Sequence, residues 1–524
     1  MKSLKVIALV LLLLSTFATI TPVARASSSF RLGNEVLLEK HRHLIEGKRI
    51  GLVTNQSGVN SKGESLIDIL ANDKDLMLTA LYGPEHGIDG KAAAGAYVES
   101  YTHPTLNIPV YSLYGSTRKP TPAMLTNIDV LLFDIQDIGA RTYTYISTMN
   151  YAMIAAKENN KPFIVLDRPN PLGGIIVEGP VLEDGFKTFV GVDNLPMAHG
   201  MTIGELAFYF NRLIGADLTV ITMEGYSREM IYQDTGLPWV QTSPNIPNID
   251  SVFGYMATGL GEGTGIGQQD KFKFIGGANI DPDMFAAILN TAKLSGVQFI
   301  AERFIRSNGT SVPGVRLLIT DFKTFNPAKS GLYALFYARS LCNFSIPKSG
   351  PTLATMVMFD KVMGTNQVGV WLEKNYSPQQ MEAAYTPGLN AFKKERVKYL
   401  LYGYVGNKTN PSILVNGRNT FTDVKPFISN ARTLVPVRAI AENLGAEVEW
   451  FERDNSVTIT KDAIVVRLVL NSRAASVNGA PLLLDVAPIA TAGRTFLPVR
   501  FVSEYLGAEV DWQGDRFAVA ITTR

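Results

Sequence analysis

A glutamate beside a histidine, held in a rigid turn, is the feature of this sequence best suited to chemistry. Residues 83–87 read Gly-Pro-Glu-His-Gly and follow the apolar run 77–81. Acid–base catalysis needs side chains in a fixed position, and proline and glycine impose a defined turn. The turn therefore predicts a proton-transfer site at Glu85 and His86. The alternative interpretation is a capped turn without a chemical role.

Polar side chains also follow three other short, β-rich runs. Such runs alternate with amphipathic segments between residues 49 and 221, which is typical of a doubly wound, Rossmann-like α/β sheet. Ligands bind such sheets outside the carboxyl ends of the strands, so we expect one cleft to collect these side chains. They are Asn55 and Ser57 after the first run, Asp134, Gln136 and Asp137 after the fourth, and Arg168 and Asn170 after the fifth.

Composition indicates a folded protein without a nucleic-acid or nucleotide ligand. Of its 524 residues, 46% are hydrophobic and 18% are charged, and the formal net charge is +2. Basic residues form no cluster, so no nucleic-acid partner is expected. The glycine-rich stretch 259–267 matches neither the dinucleotide nor the Walker spacing, so no nucleotide is expected. The single Cys342 excludes an internal disulfide.

The N-terminal residues predict export. Lys2 and Lys5 precede the apolar segment 6–14, and residues 24–26 (Ala-Arg-Ala) supply a small-residue cleavage site. The alternative is an uncleaved anchor, but the apolar segment falls short of the ~20 residues that a membrane span needs. We expect a cleaved signal peptide over residues 1–26 and a secreted protein that is extracellular or associated with the cell wall.

The C-terminal part of the chain contains an internal repeat. Residues 432–438 recur as 494–500, and residues 444–450 recur as 506–512, both at an offset of 62 (494 − 432). Each repeat predicts strands, one helix, a glycine cap and a strand pair.

This repeat resembles the copper amine oxidase N-terminal-like, or stalk, domain over about residues 411–523. The resemblance implies a module for attachment or spacing at the cell surface, with the cell wall as its partner. No His or Cys follows residue 405, so no copper site of the usual nitrogen and sulfur type is expected.

Long motifs in the first part of the chain occur together in one known family. They are 83–87 (Gly-Pro-Glu-His-Gly), 111–115 (Tyr-Ser-Leu-Tyr-Gly), 133–145 (Phe-Asp-Ile-Gln-Asp-Ile-Gly-Ala-Arg-Thr-Tyr-Thr-Tyr), 167–171 (Asp-Arg-Pro-Asn-Pro) and 199–206 (His-Gly-Met-Thr-Ile-Gly-Glu-Leu). In this order they strongly resemble the exo-β-N-acetylmuramidase family of peptidoglycan hexosaminidases, glycoside hydrolases once described as a domain of unknown function. The resemblance covers about residues 33–402.

The resemblance implies a Rossmann-like catalytic domain over residues 33–265 and a smaller auxiliary α+β domain over 266–405. The α+β repeat module follows over residues 409–524. It implies release of N-acetylmuramic acid from the non-reducing ends of peptidoglycan fragments, without a cofactor.

The same resemblance points to Glu85 as the catalytic carboxylate. The residues themselves agree with glycosidic hydrolysis, because this reaction requires an acid and usually a second carboxylate. Asp134 or Asp137 is the candidate for the second carboxylate, and His86 is expected beside the reacting groups.

Other side chains have two interpretations each. Arg141 and Arg168 suit the lactyl carboxylate of a muramic sugar or an ion pair with one of the two aspartates. Tyr143 suits stacking on a sugar ring or packing in the core. His199 opens a helix, where it caps the helix or contacts substrate, and polar amides bridge sugar hydroxyls or cap turns. The remaining candidates for substrate binding are Asn55, Ser57, Gln136, Asn170 and Glu262.

One position departs from the family pattern. Family members usually carry Glu-Gly-Arg-Gly-Thr followed by Pro-Phe, where this chain has Glu-Gly-Thr-Gly-Ile at 262–266 and Lys273-Phe274. Thr264 therefore replaces an arginine, which bears on the identity of the sugar and not on the reaction class. Lys271 or Lys273 is the candidate to supply the missing charge.

Two other functions fit the same residues. A metal-dependent wall deacetylase or phosphatase would use four ligands, namely His86, Asp134, Asp137 and His199. A non-catalytic cell-wall-binding protein would keep the cleft without turnover. Loss of activity on chelation would favour the first, and hydrolysis of a chromogenic muramide would exclude the second.

Overall fold

The computed structural model describes residues 30–403 and, with short gaps, residues 411–523. The expected signal peptide lies outside the described residues. Within them, no helix combines the length and the apolar character needed to cross a membrane.

The first unit is built on a seven-stranded sheet. Its strands are β1 (Arg49–Thr54), β2 (Met77–Gly83), β3 (Tyr101–Thr102), β4 (Pro109–Ser112), β5 (Val130–Asp134), β6 (Phe163–Leu166) and β7 (Leu218–Ile221). The sheet order is β3-β4-β2-β1-β5-β6-β7. β3 is antiparallel to β4, and every other neighbouring pair is parallel. The six parallel strands therefore follow the Rossmann order, which reverses between β1 and β5.

Helices cover both faces of this sheet. They are α1 (Gly33–Lys40), α2 (Leu66–Asn72), α3 (Pro122–Leu125), α4 (Tyr145–Glu158), α5 (Ile203–Ile214) and α6 (Ile249–Thr258). Successive residues of a strand point to opposite faces, and Leu131 and Leu132 accordingly enter two different hydrophobic clusters. Leu132 packs with residues of α1 and α2, whereas Leu131 packs with residues of α4, α5 and α6. The predicted α/β class is confirmed.

Asp167 fixes the start of α5 at the end of β6. Its buried carboxylate accepts hydrogen bonds from the Thr202 hydroxyl at 2.9 Å, the Gly204 N–H at 2.7 Å and the Tyr402 hydroxyl at 2.5 Å. A carboxylate at a helix N-terminus satisfies backbone donors that have no partner within the helix. Asp167 thus links the sheet to α5 and to residues near the end of the second unit.

The second unit has a four-stranded sheet in the order β10-β11-β9-β8, with antiparallel pairings throughout. Its elements are β8 (Gly267–Gln269), β9 (Phe274–Gly276), α7 (Pro282–Thr291), β10 (Val297–Ile305), β11 (Ser311–Ile319), α8 (Pro327–Cys342), α9 (Met358–Met363), α10 (Gln367–Glu373) and α11 (Pro378–Arg396). One hydrophobic cluster contains residues from Val53 to Leu400, so the first two units share a core.

The C-terminal module has its own hydrophobic cluster. Its elements are β12 (Ser412–Val415), β13 (Arg418–Asn419), β14 (Phe427–Ser429), β15 (Arg432–Pro436), α12 (Val437–Asn443), β16 (Glu447–Phe451), β17 (Ser456–Lys461), β18 (Ile464–Val469), β19 (Ala474–Val477), β20 (Ala480–Leu483), β21 (Ile489–Thr491), β22 (Arg494–Pro498), α13 (Val499–Tyr505), β23 (Ala508–Gln513) and β24 (Ala518–Thr523).

The two repeats of the module meet at β15 and β22. In this antiparallel pair Val435 lies opposite Leu497, which is its own counterpart at the offset of 62. Leu434 and Pro436 lie opposite Pro498 and Phe496, so the neighbours of the central pair exchange partners. The repeats are therefore related by a local pseudo-two-fold axis between β15 and β22.

Candidate active site

The loops after β1, β5 and β6 meet where the strand order reverses. The Ser57 hydroxyl donates to Asn55 Oδ1 at 2.6 Å and accepts from the Gln136 backbone N–H at 3.0 Å. Gln136 Nε2 donates to the carbonyl oxygens of Asp137 at 2.8 Å and Pro169 at 2.9 Å. The side chains of Asn55, Ser57 and Gln136 are buried. The structure thus brings these predicted residues together, and the contacts it shows for them are with one another and with the loop backbone.

Asp134 and Arg168 form a buried ion pair. Arg168 Nε donates to Asp134 Oδ1 at 2.6 Å, and Arg168 Nη2 donates to Asp134 Oδ2 at 3.0 Å. Asn34 adds a third donor to Oδ2 at 3.1 Å. Both oxygens of the aspartate are therefore occupied by protein groups. This is the ion-pair alternative for Arg168, and it places Asp134 in the framework below the cleft instead of among groups free to react.

Arg141 pairs with neither aspartate. Its Nη2 donates to the Val362 carbonyl oxygen at 2.8 Å, and its Nε and Nη1 have no hydrogen-bond partner. Burial lowers the pKa of this guanidinium to about 10. A side chain at Gly364 would come within 2.9 Å of Nη1. The guanidinium therefore lies against the second unit, at the loop after α9.

Glu85 is a half-buried carboxylate on the turn after β2. Its Oε1 accepts from the Gly95 backbone N–H at 2.8 Å, and its Oε2 accepts from the Thr144 hydroxyl at 2.6 Å. Two donors from different segments fix the direction of the carboxylate, as positioned acid–base chemistry requires.

His86 holds the loop that passes over Glu85. Its backbone has a left-handed φ of 73°, and Nδ1 lies 2.7 Å from the Ala92 carbonyl oxygen. Because a carbonyl oxygen only accepts, Nδ1 carries the proton. The ring is buried, so the contacts of His86 are those of a residue that positions the loop.

Three tyrosines pack together near Glu85 and Asp137. The Tyr143 ring packs edge-on against Tyr145, with centroids 4.8 Å apart, and against Tyr255 at 5.7 Å. The hydroxyl of Tyr143 donates to Thr242 Oγ1 at 2.9 Å. Burial raises the pKa of the Tyr255 hydroxyl to about 12, and three nearby carboxylates add to this shift. They are Glu85, Glu262 and Asp137.

Asp137, unlike Glu85 and Asp134, has one carboxyl oxygen without a hydrogen-bond partner. Its Oδ2 accepts from the Gly139 N–H at 2.7 Å, whereas Oδ1 is buried and has no partner. Burial raises its pKa to about 7, against the opposing effect of the backbone donors of Ile138 and Gly139. This carboxyl group therefore keeps its proton up to near-neutral pH.

His199 faces Asp137 from the loop before α5. Its Nε2 lies 4.0 Å from Asp137 Oδ2, and its Nδ1 accepts from the Met201 N–H at 3.2 Å. Burial, and then the charge of Arg396, lower the pKa of the ring to about 3. Asn170 closes the same loop by donating to the Met201 carbonyl oxygen at 3.0 Å. His199 is therefore a neutral imidazole with its proton on Nε2.

The glycine-rich loop carries Glu262 at its exposed side and Thr264 at its buried side. The Thr264 hydroxyl donates to the Gly261 carbonyl oxygen at 2.7 Å and accepts from the Ile266 N–H at 3.1 Å. Thr264 therefore closes the turn of the loop from within. Of the two lysines, Lys271 is exposed, and Lys273 lies 3.7 Å from Asp270.

Sequence reasoning assigned no role to Thr144 or Tyr255. Thr144 lies in the motif after β5, where its hydroxyl next to two tyrosines was a usable signal. Tyr255 comes from α6, and no local pattern distinguishes it from a core residue. The four side chains of the metal-dependent alternative have separate partners, and no group of three ligand residues among the described residues could hold a metal ion.

An accessible glutamate, oriented by two donors and accompanied by a carboxyl group with a raised pKa, suits the chemistry of a glycoside hydrolase. The chain belongs to the exo-beta-N-acetylmuramidase NamZ family, whose N-terminal model matches residues 50–250 and whose C-terminal model matches residues 253–402. A model described as copper amine oxidase N-terminal domain matches residues 414–521. Both resemblances are confirmed, and the protein is a glycoside hydrolase.

Relatives support this membership over nearly their full length. Peptidoglycan beta-N-acetylmuramidase NamZ of Bacillus subtilis (strain 168) is 45% identical over 408 residues, which are 74% of this chain and 97% of that protein. A crystal structure of a DUF1343 family protein from Bacteroides fragilis matches with a TM-score of 0.64 and 37% identity, over 71% of this chain and 99% of that one. A second has a TM-score of 0.54 and 27% identity, over 72% and 100%.

Proposed function

We propose that this protein hydrolyses the β-glycosidic bond of N-acetylmuramic acid at the non-reducing ends of peptidoglycan fragments and releases that sugar. The observation that carries the proposal is the Glu85 carboxylate, half-buried at the strand ends and oriented by Gly95 and Thr144. The name and coverage of the Bacillus subtilis relative support the choice of substrate.

In this reaction the bond from the anomeric carbon to the leaving oxygen breaks, the leaving oxygen gains a proton, and water supplies the hydroxyl of the released sugar. Glu85 is the group that exchanges the proton, because it is the more accessible of the two carboxylates. Asp137 is buried, where its retained proton avoids the cost of a buried charge. The charges of Glu85 and Asp137 both raise the pKa of the Tyr255 hydroxyl.

The proposal includes export. Residues 1–26 have the charged, apolar and small-residue segments of a signal peptide, and the proposed substrate lies outside the cytoplasmic membrane. N-terminal sequencing of the protein recovered from the culture fluid or wall fraction is expected to begin after Ala26. Recovery of the full-length chain from the cytoplasm alone would contradict export.

Substrate preference is tested with a pair of chromogenic glycosides. An N-acetylmuramide and an N-acetylglucosaminide differ only by the lactyl group, so their kcat/KM ratio reports recognition of that group. We expect the muramide to be preferred and free N-acetylmuramic acid to appear from peptide-free glycan strands. Preference for the glucosaminide would show that the lactyl carboxylate is not recognised, in accordance with the loss of the family arginine at Thr264.

A further inference from the structure

The C-terminal module contains two grooves that the hydrolase reaction does not use. Their volumes are about 770 Å³ and about 630 Å³, within the range of small-molecule sites. The Trp450 groove is lined by Arg438, Glu442, Val448, Trp450, Val457 and Arg494. The Trp512 groove is lined by Arg500, Glu504, Val510, Trp512, Val519 and Arg432.

The two grooves are copies of each other. Each residue of the first set has its counterpart in the second at the offset of 62 residues, with the arginines of β15 and β22 exchanged. The exchange follows from the pseudo-two-fold axis, since each groove takes a helix and a tryptophan from one repeat and an arginine from the other. Both grooves are therefore complete only when the two repeats are packed together.

The lining combines an aromatic surface with charged groups. Trp450 is 40% exposed and Trp512 is 41% exposed, so each leaves part of its indole at the surface of its groove. Arg438 lies 3.8 Å from Glu442, and Arg500 lies 3.7 Å from Glu504, on exposed helix faces. An indole surface beside hydrogen-bonding groups matches a sugar ring, which has an apolar face and a polar rim.

The charged side chains that line the grooves indicate which class of sugar would bind. The Trp450 groove has two arginines against one glutamate, and the Trp512 groove has two arginines against Glu504 and Asp511. The arginines of each groove can bind a carboxylate, because a guanidinium does so through two parallel hydrogen bonds. N-acetylmuramic acid repeats along a glycan strand, and in a peptide-free strand it is an N-acetylated sugar with a free carboxylate. A repeated ligand also suits a repeated groove, because two linked sites bind a polymer more tightly than either site alone.

We propose that the two grooves are saccharide sites, each of which binds a carboxylate-bearing N-acetylated sugar unit of a glycan strand, so that the module holds the polymer at two points. The inference rests on the proposed function for the identity of the polymer. It assigns a binding chemistry to a module whose hydrophobic core is separate from the core of the first two units.

Binding stoichiometry tests this directly. The full chain with Glu85→Gln, used to prevent turnover, is titrated calorimetrically with a peptide-free tetrasaccharide from peptidoglycan. We expect the number of sites per chain to fall by one in Trp450→Ala, by one in Trp512→Ala and by two in the double variant. Phe451→Ala is the matched control, because Phe451 is 40% exposed on the same strand as Trp450 and points to the opposite face.

A second pair of variants keeps the test decisive if the tryptophan variants melt at lower temperature. Arg438→Gln with Arg500→Gln removes one exposed arginine from each groove. We expect ~10-fold weaker binding of the carboxylate-bearing tetrasaccharide at these sites, the effect of a lost charge-assisted hydrogen bond, and unchanged binding of a neutral chitin tetrasaccharide.

Unaltered stoichiometry in the folded double tryptophan variant would overturn the proposal. So would a dimer in solution that dissociates when both tryptophans are replaced, since a second copy would then occupy the grooves. Failure of the proposed function is distinguishable, because a wild type that cannot hydrolyse muramides would leave the binding stoichiometry measurable.

Discussion

The candidate active site at the strand ends and the C-terminal module with its two grooves differ in where their polar groups lie. At the strand ends, polar side chains such as Asp134, Arg168 and Gln136 are buried, and each takes its partner from another loop. In the module, Trp450 and Arg438 are exposed and recur once at a fixed offset. Chemistry needs groups held in a fixed, dry position, whereas binding of a polymer gains from repetition. The first region therefore depends on each of its contacts, whereas the proposed binding by the second depends on the number of its sites.

The largest expected effect concerns stability and separates the two regions. Arg168→Leu leaves Asp134 charged, buried and unpaired, so we expect the free energy of unfolding to fall by about 3–5 kcal/mol. Arg438→Leu, the same change at an exposed position, is expected to alter it by less than about 0.5 kcal/mol. Urea denaturation measures both. Equal losses would remove the contrast between a buried network and an exposed surface.

The next effect concerns the pH dependence of stability. Burial raises the pKa of Asp137 to about 7, against about 3.9 for an unfolded aspartate. The native state therefore retains a proton that the unfolded state has lost, and this group lowers the free energy of unfolding as pH rises from about 4 to about 7.

Asp137→Asn removes that contribution. Relative to the wild type, the variant is expected to gain about 2–3 kcal/mol in free energy of unfolding between about pH 4.5 and pH 8. The lowered pKa of His199 has the opposite sign, with stability lost as pH falls below about 6.5, so the comparison is read most directly above pH 6.5, where this ring is neutral in both states. Parallel pH profiles for the two proteins would contradict a raised pKa at Asp137.

A smaller effect is expected at Tyr255. Tyr255→Phe removes a hydroxyl that is bonded to Thr142 and whose pKa is raised by burial and by Glu85, Glu262 and Asp137. We expect kcat/KM on a muramide to fall by ~10-fold, about the effect of one lost hydrogen bond. Tyr82→Phe is the control, since the Tyr82 hydroxyl is bonded to the Met124 carbonyl oxygen. A loss of equal size in the control would assign the effect to general stability.

The smallest effect concerns removal of the module. A chain that ends at residue 403 keeps the whole first hydrophobic cluster, so it is expected to stay folded and to hydrolyse small soluble muramides at the full rate. Its retention on isolated walls is expected to fall. Retention equal to that of the full chain would contradict the binding role of the module, and loss of turnover would show that the module supports the active site.

Local patterns were sufficient to predict the elements and the places where polar groups emerge. Alternating strands and helices predicted the sheet, the turn at 83–87 predicted an oriented carboxylate, and the repeated segments predicted the module. Each of these depends on residues close together in the chain.

The hydrogen-bond partners of the buried arginines could not be predicted from local patterns. Arg141 and Arg168 had the same two interpretations from sequence. Arg168 pairs with Asp134, whereas Arg141 lies against Val362 in the second unit. The difference arises from how distant segments pack, as does the position of Tyr255 beside Glu85. Such pairings become visible only when the strand order and the interface between units are known.

We propose that Glu85 performs the proton transfer, and a pair of isosteric variants tests this assignment. Glu85→Gln is nearly isosteric, so its melting temperature is expected to match the wild type while kcat/KM on a chromogenic N-acetylmuramide falls by at least ~10²-fold. Glu99→Gln, the same change at an exposed position on the neighbouring loop, is expected to retain full activity. Turnover by the folded Glu85→Gln protein at the wild-type rate would contradict the assignment.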